Sequence, residues 1–411
     1  MESFLSDRIK LYSGNCLSVL DGMEENSLDS CVCDPPYHLT SIVKRFGGAN
    51  AVPAQNGTDG AFARQSRGFM NTIWDGGDVA FRVETWAKVY RVLKPGAFIT
   101  AFASTRGFGR MSVAIEDAGF ITHPFIAWIF ATGFPKATRV KLDGWEGWRY
   151  GTQALKPALE PIYVGQKPFE KGLTGTENIA KWGTGAINIG ACRVNPGEVI
   201  PGGGRSFGAC DGVHEGWRRP SHADYESKPA HNQGRWPANI IHDGSDEVIA
   251  AFPETSASPK GNITQGGGAF GSGAPRGDKE FQGHGDSGSA ARFFYSSKAD
   301  SDDRLGSKHP TVKPVDLMQY LCRLVTPKNG TILDPFSGTG TTGEAAFREG
   351  FNAVLIEREA EYQADIRRRM ALCMSGHVER KHESIKAKTK DQPADHGPLF
   401  ADITEDDPTP A

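Results

Sequence analysis

Two apolar runs in this chain end in an aspartate at a turn, and that pattern constrains the fold more than any other feature. Leu28-Asp29-Ser30-Cys31-Val32-Cys33 runs straight into Asp34-Pro35-Pro36-Tyr37. Some 300 residues later, Thr331-Ile332-Leu333 runs into Asp334-Pro335-Phe336-Ser337-Gly338-Thr339-Gly340-Thr341-Thr342. A strand that delivers a functional turn at its carboxyl end is the binding geometry of open α/β sheets. The spacing elsewhere fits such a sheet. Strands are predicted at 8–13, 97–103, 124–130, 160–165 and 352–356, and helices at 81–94, 108–118, 341–349 and 359–372. A further helix is predicted to start with Pro314 at its first position, where a missing N–H costs nothing.

The second turn suits a nucleoside ligand. Gly338 and Gly340 allow a tight turn and close approach of a bound group. The pattern is neither GxGxxG nor a P-loop, since Thr341-Thr342 follows and no Lys does. The next strand ends at Glu357, nineteen residues after Gly338. An acid there commonly accepts hydrogen bonds from ribose hydroxyls. A ligand-free strand-to-helix turn is the competing reading; Asp334 and Glu357 together weigh against it.

The first turn suits an aromatic amine. The lone pair of such an amine is delocalised into its ring, so the nitrogen is a poor nucleophile. Asp34 and the Pro35 carbonyl, accepting its two N–H bonds, would favour a pyramidal, polarised nitrogen. Pro35 and Pro36 stiffen the turn by fixing φ. Tyr37 offers a flat face for an extruded base.

Composition narrows the classes. Among 411 residues, 46 Lys and Arg against 49 Asp and Glu give a net charge of −3, so any DNA contact must use local positive charge. The seven cysteines lack paired spacing, which argues against a disulfide scaffold, and no metal motif occurs. Cys31 and Cys33 read as packing residues on a buried strand. No apolar stretch approaches the ~20 residues that span a bilayer, so no membrane partner and a cytoplasmic location are expected. Fifty glycines, many between 166 and 290, point to an insert of low regularity.

With both turns in hand, the chain resembles the DNA amino-methyltransferases that use S-adenosylmethionine. Asp34-Pro35-Pro36-Tyr37 resembles their catalytic motif. Asp334-Pro335-Phe336-Ser337-Gly338-Thr339-Gly340 resembles their cofactor motif, and His309-Pro310-Thr311-Val312-Lys313-Pro314 the segment before it. The order is similar to the beta-type permutation, with the catalytic half first. The resemblance implies a circularly permuted, Rossmann-like sheet of seven strands, base flipping, and methylation of adenine N6 or cytosine N4. Asp at the first motif position favours adenine. The implied division is 1–165 for the catalytic half, 166–290 for a target-recognition insert and 291–372 for the cofactor half. A disordered charged tail follows at 373–411. The implied cofactor residues are Asn15, Thr311, Lys313, Asp334, Pro335, Phe336, Ser337, Gly338, Thr339, Gly340, Thr341 and Glu357. Asn15 follows Gly14 where the family often has an Asp. Thr311 and Lys313 would lie near the methionine end.

The implied partner is double-stranded DNA in a bacterial or phage-infected bacterial cell. Ala158–Val164 and 234–239 resemble segments of phage and prophage members. Lys136, Arg139 and Lys141, beside Trp145, Trp148 and Tyr150, form a cationic cluster for phosphates. Arg205 and Arg235 in the insert could read guanine edges. A homodimer, a cognate restriction nuclease and the recognition sequence stay open. Two other classes stand as rivals: a DNA-binding protein on the same fold without catalysis, and a nicotinamide oxidoreductase.

Overall fold

The computed structural model describes residues 1–37, 78–195, 205–207, 225–227, 231–256, 261–263, 279–281, 287–297, 301–307, 309, 312–376, 378–382 and 385. Residues 38–77 and, within the glycine-rich stretch, 196–204, 208–224, 228–230, 257–260, 264–278 and 282–286 lie outside these residues.

The main sheet contains ten strands: β1 (Glu2–Phe4), β2 (Ile9–Ser13), β3 (Leu28–Cys33), β4 (Leu93–Phe102), β5 (Ile121–Ile129), β6 (Leu159–Gln166), β7 (Ile240–His242), β8 (Tyr295–Ser296), β9 (Thr331–Asp334) and β10 (Asn352–Glu357). Their order is β1-β2-β10-β9-β3-β4-β6-β5-β7-β8. The seven strands of four or more residues are contiguous at its centre. Three strands of two or three residues extend the edges beyond the expected seven. Only β1 and β6 run against the rest.

Eight helices accompany the sheet among the described residues: α1 (Cys16–Asp21), α2 (Val83–Val92), α3 (Phe108–Asp117), α4 (Gly175–Trp182), α5 (Asp246–Ala251), α6 (Val315–Val325), α7 (Thr341–Arg348) and α8 (Ala360–Leu372). The strand period of two sorts the core into two layers. Cys31 and Cys33 face Leu20, Trp86 and Met111 of α1–α3, while Val32 shares the opposite layer with Leu317, Ala345 and Ile366 of α6–α8. The cysteine pair thus packs, as its spacing predicts. Burial pushes the Cys33 thiol well above its ordinary value.

Four expectations shift. The helix predicted over 81–94 ends at Val92, and Leu93 to Gly96 already belong to β4. Gly96 sits there at φ +85°, where a Cβ would come within 2.6 Å of the Asn178 amide nitrogen. Pro314 caps α6 with an extended ψ of 134° instead of opening its first turn. The segment 166–290 supplies β7 and packs α4 against β4, so it is woven into the same body. Of the residues expected in the charged tail from 373, Cys373 is buried and residues 378–382 are helical. Within that turn Arg380 pairs with Glu344 at 2.7 Å. Residues 386–411 lie outside the described ones.

Candidate active site

The parallel strands β2, β10, β9, β3 and β4 all present their carboxyl ends at one edge of the sheet, and a cleft of about 1240 Å³ opens there. Both sequence turns line it, because β9 pairs directly with β3 (Ile332 opposite Ser30, Leu333 opposite Cys31). The antiparallel direction of β6 brings its amino-terminal end, with Glu160, to the same edge.

In the glycine turn, Gly338 has φ +49° and Gly340 φ +78°, left-handed values that favour glycine. A Cβ at Gly338 would come within 3.3 Å of His309 Nε2. A Cβ at Gly340 would meet Ile366 at 3.0 Å. Both Glu357 carboxylate oxygens accept backbone bonds, from Gly338 N–H and Glu359 N–H, each at 2.8 Å. This fixes the carboxylate at the cleft wall, with lone pairs to spare for hydroxyl donors. Burial raises the Glu357 carboxyl. It raises Asp334 to about 7.

Asp334 builds the turn. One oxygen accepts from Phe336 N–H at 3.0 Å and the other from the Thr342 hydroxyl. Ser337 Oγ donates to the Asp334 carbonyl at 2.9 Å, and Phe336 packs edge-on against Trp86. Pro335, Thr339 and Thr341 also line the cleft; Gly340 shapes the turn from behind. Asn15 lines the cleft, but its side-chain oxygen caps α1 by accepting from Leu17 N–H at 2.9 Å. Thr311 lies outside the described residues.

In the proline turn, Asp34, Pro35, Pro36 and Tyr37 all line the cleft. Asp34 Oδ2 lies 2.9 Å from Lys313 Nζ, while Oδ1 is buried without a hydrogen-bond partner. Lys313 is also 3.1 Å from Glu160 Oε2 and donates to the Tyr37 hydroxyl at 3.1 Å. Tyr37 in turn donates to Glu160 at 3.1 Å. Burial opposes the Lys313 ammonium, but Asp34 and Glu160 outweigh it and hold the group above its ordinary value. Burial pushes the Tyr37 phenol well up, reinforced by the same two carboxylates. His309 is depressed to about 4 by burial and by Lys313.

Sequence reasoning missed Glu160 as a site residue. Its signal was an acid inside the apolar run Leu159-Glu160-Pro161-Ile162. It also missed the brace behind the glycine turn. Arg369, buried, donates to the Thr339 carbonyl at 2.8 Å and pairs with buried Glu344 at 2.7 Å.

The cationic cluster forms a hairpin of Lys136–Arg139 with Arg149–Gln153, whose aromatic side chains Trp145, Trp148 and Tyr150 are exposed. Arg139 and Lys141 are exposed on it. The hairpin runs into residues 154–159, which line the cleft. Of Lys136 and Arg205 only the backbone is described. Arg235 is half-buried, with its guanidinium 4.3 Å from the Phe293 ring centre, and does not line the cleft. Among the described residues no cluster of His, Cys, Asp and Glu could hold a metal ion, and no helix is long and apolar enough to cross a membrane.

Comparison with known proteins adds a second line. A family model described as DNA methylase matches residues 28–368. The type II methyltransferase M.HindIII of Haemophilus influenzae is 27% identical over 200 residues, 43% of this chain and 64% of that protein. M2.MboI of Moraxella bovis is 43% identical over 60 residues, 15% of this chain and 22% of that protein. The chain therefore spans less than two thirds of the length of these curated relatives. Among solved structures, the cytosine-N4-specific PvuII DNA methyltransferase covers 93% of both chains at 13% identity and a TM-score of 0.41.

Proposed function

This chain belongs to the DNA methylase family that modifies amino groups of adenine or cytosine, and from that premise we propose that it methylates adenine N6 at a specific site in double-stranded DNA. The methyl donor in this reading is S-adenosylmethionine. The observation that carries it is Asp34 at the wall of the cleft that the glycine turn also lines, with one carboxylate oxygen left without a hydrogen-bond partner.

The residues fit such a donor. Left-handed Gly338 leaves no Cβ between the turn and His309, and Glu357 is held with acceptor capacity toward the cleft. The cleft exceeds the ~300–1,000 Å³ of a typical ligand pocket, so it has space for a nucleoside cofactor and a base together. The turn from Asp334 to Thr341, with Glu357, would hold the nucleoside. When bound, S-adenosylmethionine supplies a methyl group on a positively charged sulfur.

The chain's own residues prepare the acceptor. Asp34 Oδ1 accepts one N–H of the target amine and the Pro35 carbonyl the other, which localises the lone pair on nitrogen. Tyr37, held through its hydroxyl by Lys313 and Glu160, gives its ring face to the flipped base. Asp34 is then the acceptor for the proton that the methylated nitrogen loses. The hairpin at 136–153 carries Arg139 and Lys141 to the phosphates.

Incubation with amplified, unmethylated bacterial genomic DNA and isotope-labelled S-adenosylmethionine, followed by digestion to nucleosides and mass spectrometry, tests this reading. N6-methyladenine is the expected product. N4-methylcytosine would move the target to the other amino base, and no label transfer would leave a DNA-binding protein without catalysis. Asp34→Ala is expected to abolish transfer and keep cofactor affinity; full activity of that variant would sink the assignment.

A further inference from the structure

We propose that Lys313 is a positioning residue for methyl transfer, its ammonium fixing Asp34 and Tyr37 together and leaving one carboxylate oxygen open for the target amine. The inference deepens the function proposed above and rests on it.

An ammonium has three N–H donors and no acceptor. Lys313 Nζ has three oxygens in reach: Asp34 Oδ2 at 2.9 Å, Glu160 Oε2 at 3.1 Å and the Tyr37 hydroxyl at 3.1 Å. The Tyr37 hydroxyl spends its own proton on Glu160 Oε2. The ammonium is thus shared between one hydrogen bond and two ion pairs, and Asp34 Oδ1 is the atom left buried and unpartnered.

Chain separation makes the arrangement purposeful for the site. Asp34 and Tyr37 follow β3, Glu160 opens β6, and Lys313 precedes α6. The ammonium ties Lys313's own segment to the catalytic turn and to β6, beside the direct Tyr37–Glu160 bond between those two. Its side chain is 6% exposed, against 18% for Asp34. It also lies 5.3 Å from the Tyr37 ring centre and 4.9 Å from that of Phe102. Without it, Asp34 can rotate and present either oxygen, two carboxylates face each other unneutralised, and the Tyr37 ring loses an anchor. Glu160 is the partner through which Lys313 is itself held. Misplacement of a reacting group by about 1 Å can cost ~100-fold in rate, so a residue of this kind acts on the chemical step.

The test compares Lys313→Met, Lys313→Arg, Glu160→Gln and the double variant Lys313→Met/Glu160→Gln with the unaltered chain. It measures single-turnover methylation of amplified bacterial genomic DNA, and separately the dissociation constants of S-adenosylmethionine and of that DNA. Lys313→Met is expected to lose about 100-fold or more in single-turnover rate. Both dissociation constants should stay within about threefold, because the Lys313 ammonium is turned to Asp34, Glu160 and Tyr37 and not given to the cofactor as its motif implies. Lys313→Arg should recover part of the rate by restoring a cation. The double variant should be no slower than Lys313→Met, because the two residues act as a unit. The proposal is overturned by a Lys313→Met rate close to that of the unaltered chain, by rate and cofactor affinity falling together, or by multiplying losses in the double variant. An unaltered chain that transfers no methyl group overturns the proposed function and this inference with it. An active unaltered chain beside an equally active Lys313→Met overturns the inference alone.

Discussion

At the scale of the residue, Asp334 shows how a turn-building acid couples the glycine turn to pH. Its bonds come from the Phe336 N–H and the Thr342 hydroxyl, and burial raises its carboxyl from 3.8 to about 7. The folded chain therefore holds a proton there that the unfolded chain has lost. That contribution is fully present below the unfolded value and disappears as pH rises through the folded one, so stability falls across pH 4 to 7. The slope is at most about 1.4 kcal/mol per pH unit. Asp334→Asn keeps both bonds, its amide donating to the Thr342 oxygen, and removes the titration. Urea unfolding at pH 5 and pH 8 should show a smaller loss of stability in the variant than in the parent. Equal losses would place the pH dependence elsewhere. Asp334 was legible as a site residue from sequence, because an acid closing an apolar strand before a glycine turn is a local pattern. Its role as a turn brace was not, since Thr342 reaches it only once the helix folds back.

At the scale of the element, the strand-turn-helix unit of β9 and α7 is steadied by α8. Arg369 lies in the run Arg367-Arg368-Arg369, which reads as a solvated charged face. Helical spacing separates the three. Arg367 pairs with Glu2 at the surface, Arg368 pairs with Asp365, and Arg369 is buried against Glu344 and the Thr339 carbonyl. Removing one partner of a buried pair typically costs about 3–5 kcal/mol. Glu344 keeps Arg348 and Arg380 as partners, so Arg369→Met should destabilise the chain by less than that in urea unfolding. It should also weaken S-adenosylmethionine binding in calorimetric titration, because the Thr339 carbonyl loses its anchor. Unchanged cofactor affinity in a folded variant would show that the brace does not reach the site. The same limit explains β7 and β8: strands of three and two residues carry too little periodicity to be read, and they form because β5 offers them an edge.

At the scale of the whole molecule, an acidic chain must concentrate positive charge where a duplex would lie. The hairpin at 136–153 does so beside the cleft, with Arg139 and Lys141 exposed among tryptophans. Replacing both with Ala should weaken DNA binding and reduce the slope of log affinity against log salt by about 0.9 for each phosphate that is no longer neutralised. Cofactor affinity should not change. A salt slope equal to that of the parent, measured by fluorescence anisotropy, would exclude the hairpin from the phosphate-binding surface. The sequence by itself determined the longer strands, both turns and their order, because each is written in the period and residue types of a few consecutive positions. Only the tertiary structure decided that Asp34, Glu160 and Lys313 meet, that one Asp34 oxygen is left without a partner, and that Arg369 braces the glycine turn. Those interactions join segments far apart in the chain. They depend on strand order and direction, above all on β9 lying beside β3 and on β6 running against its neighbours.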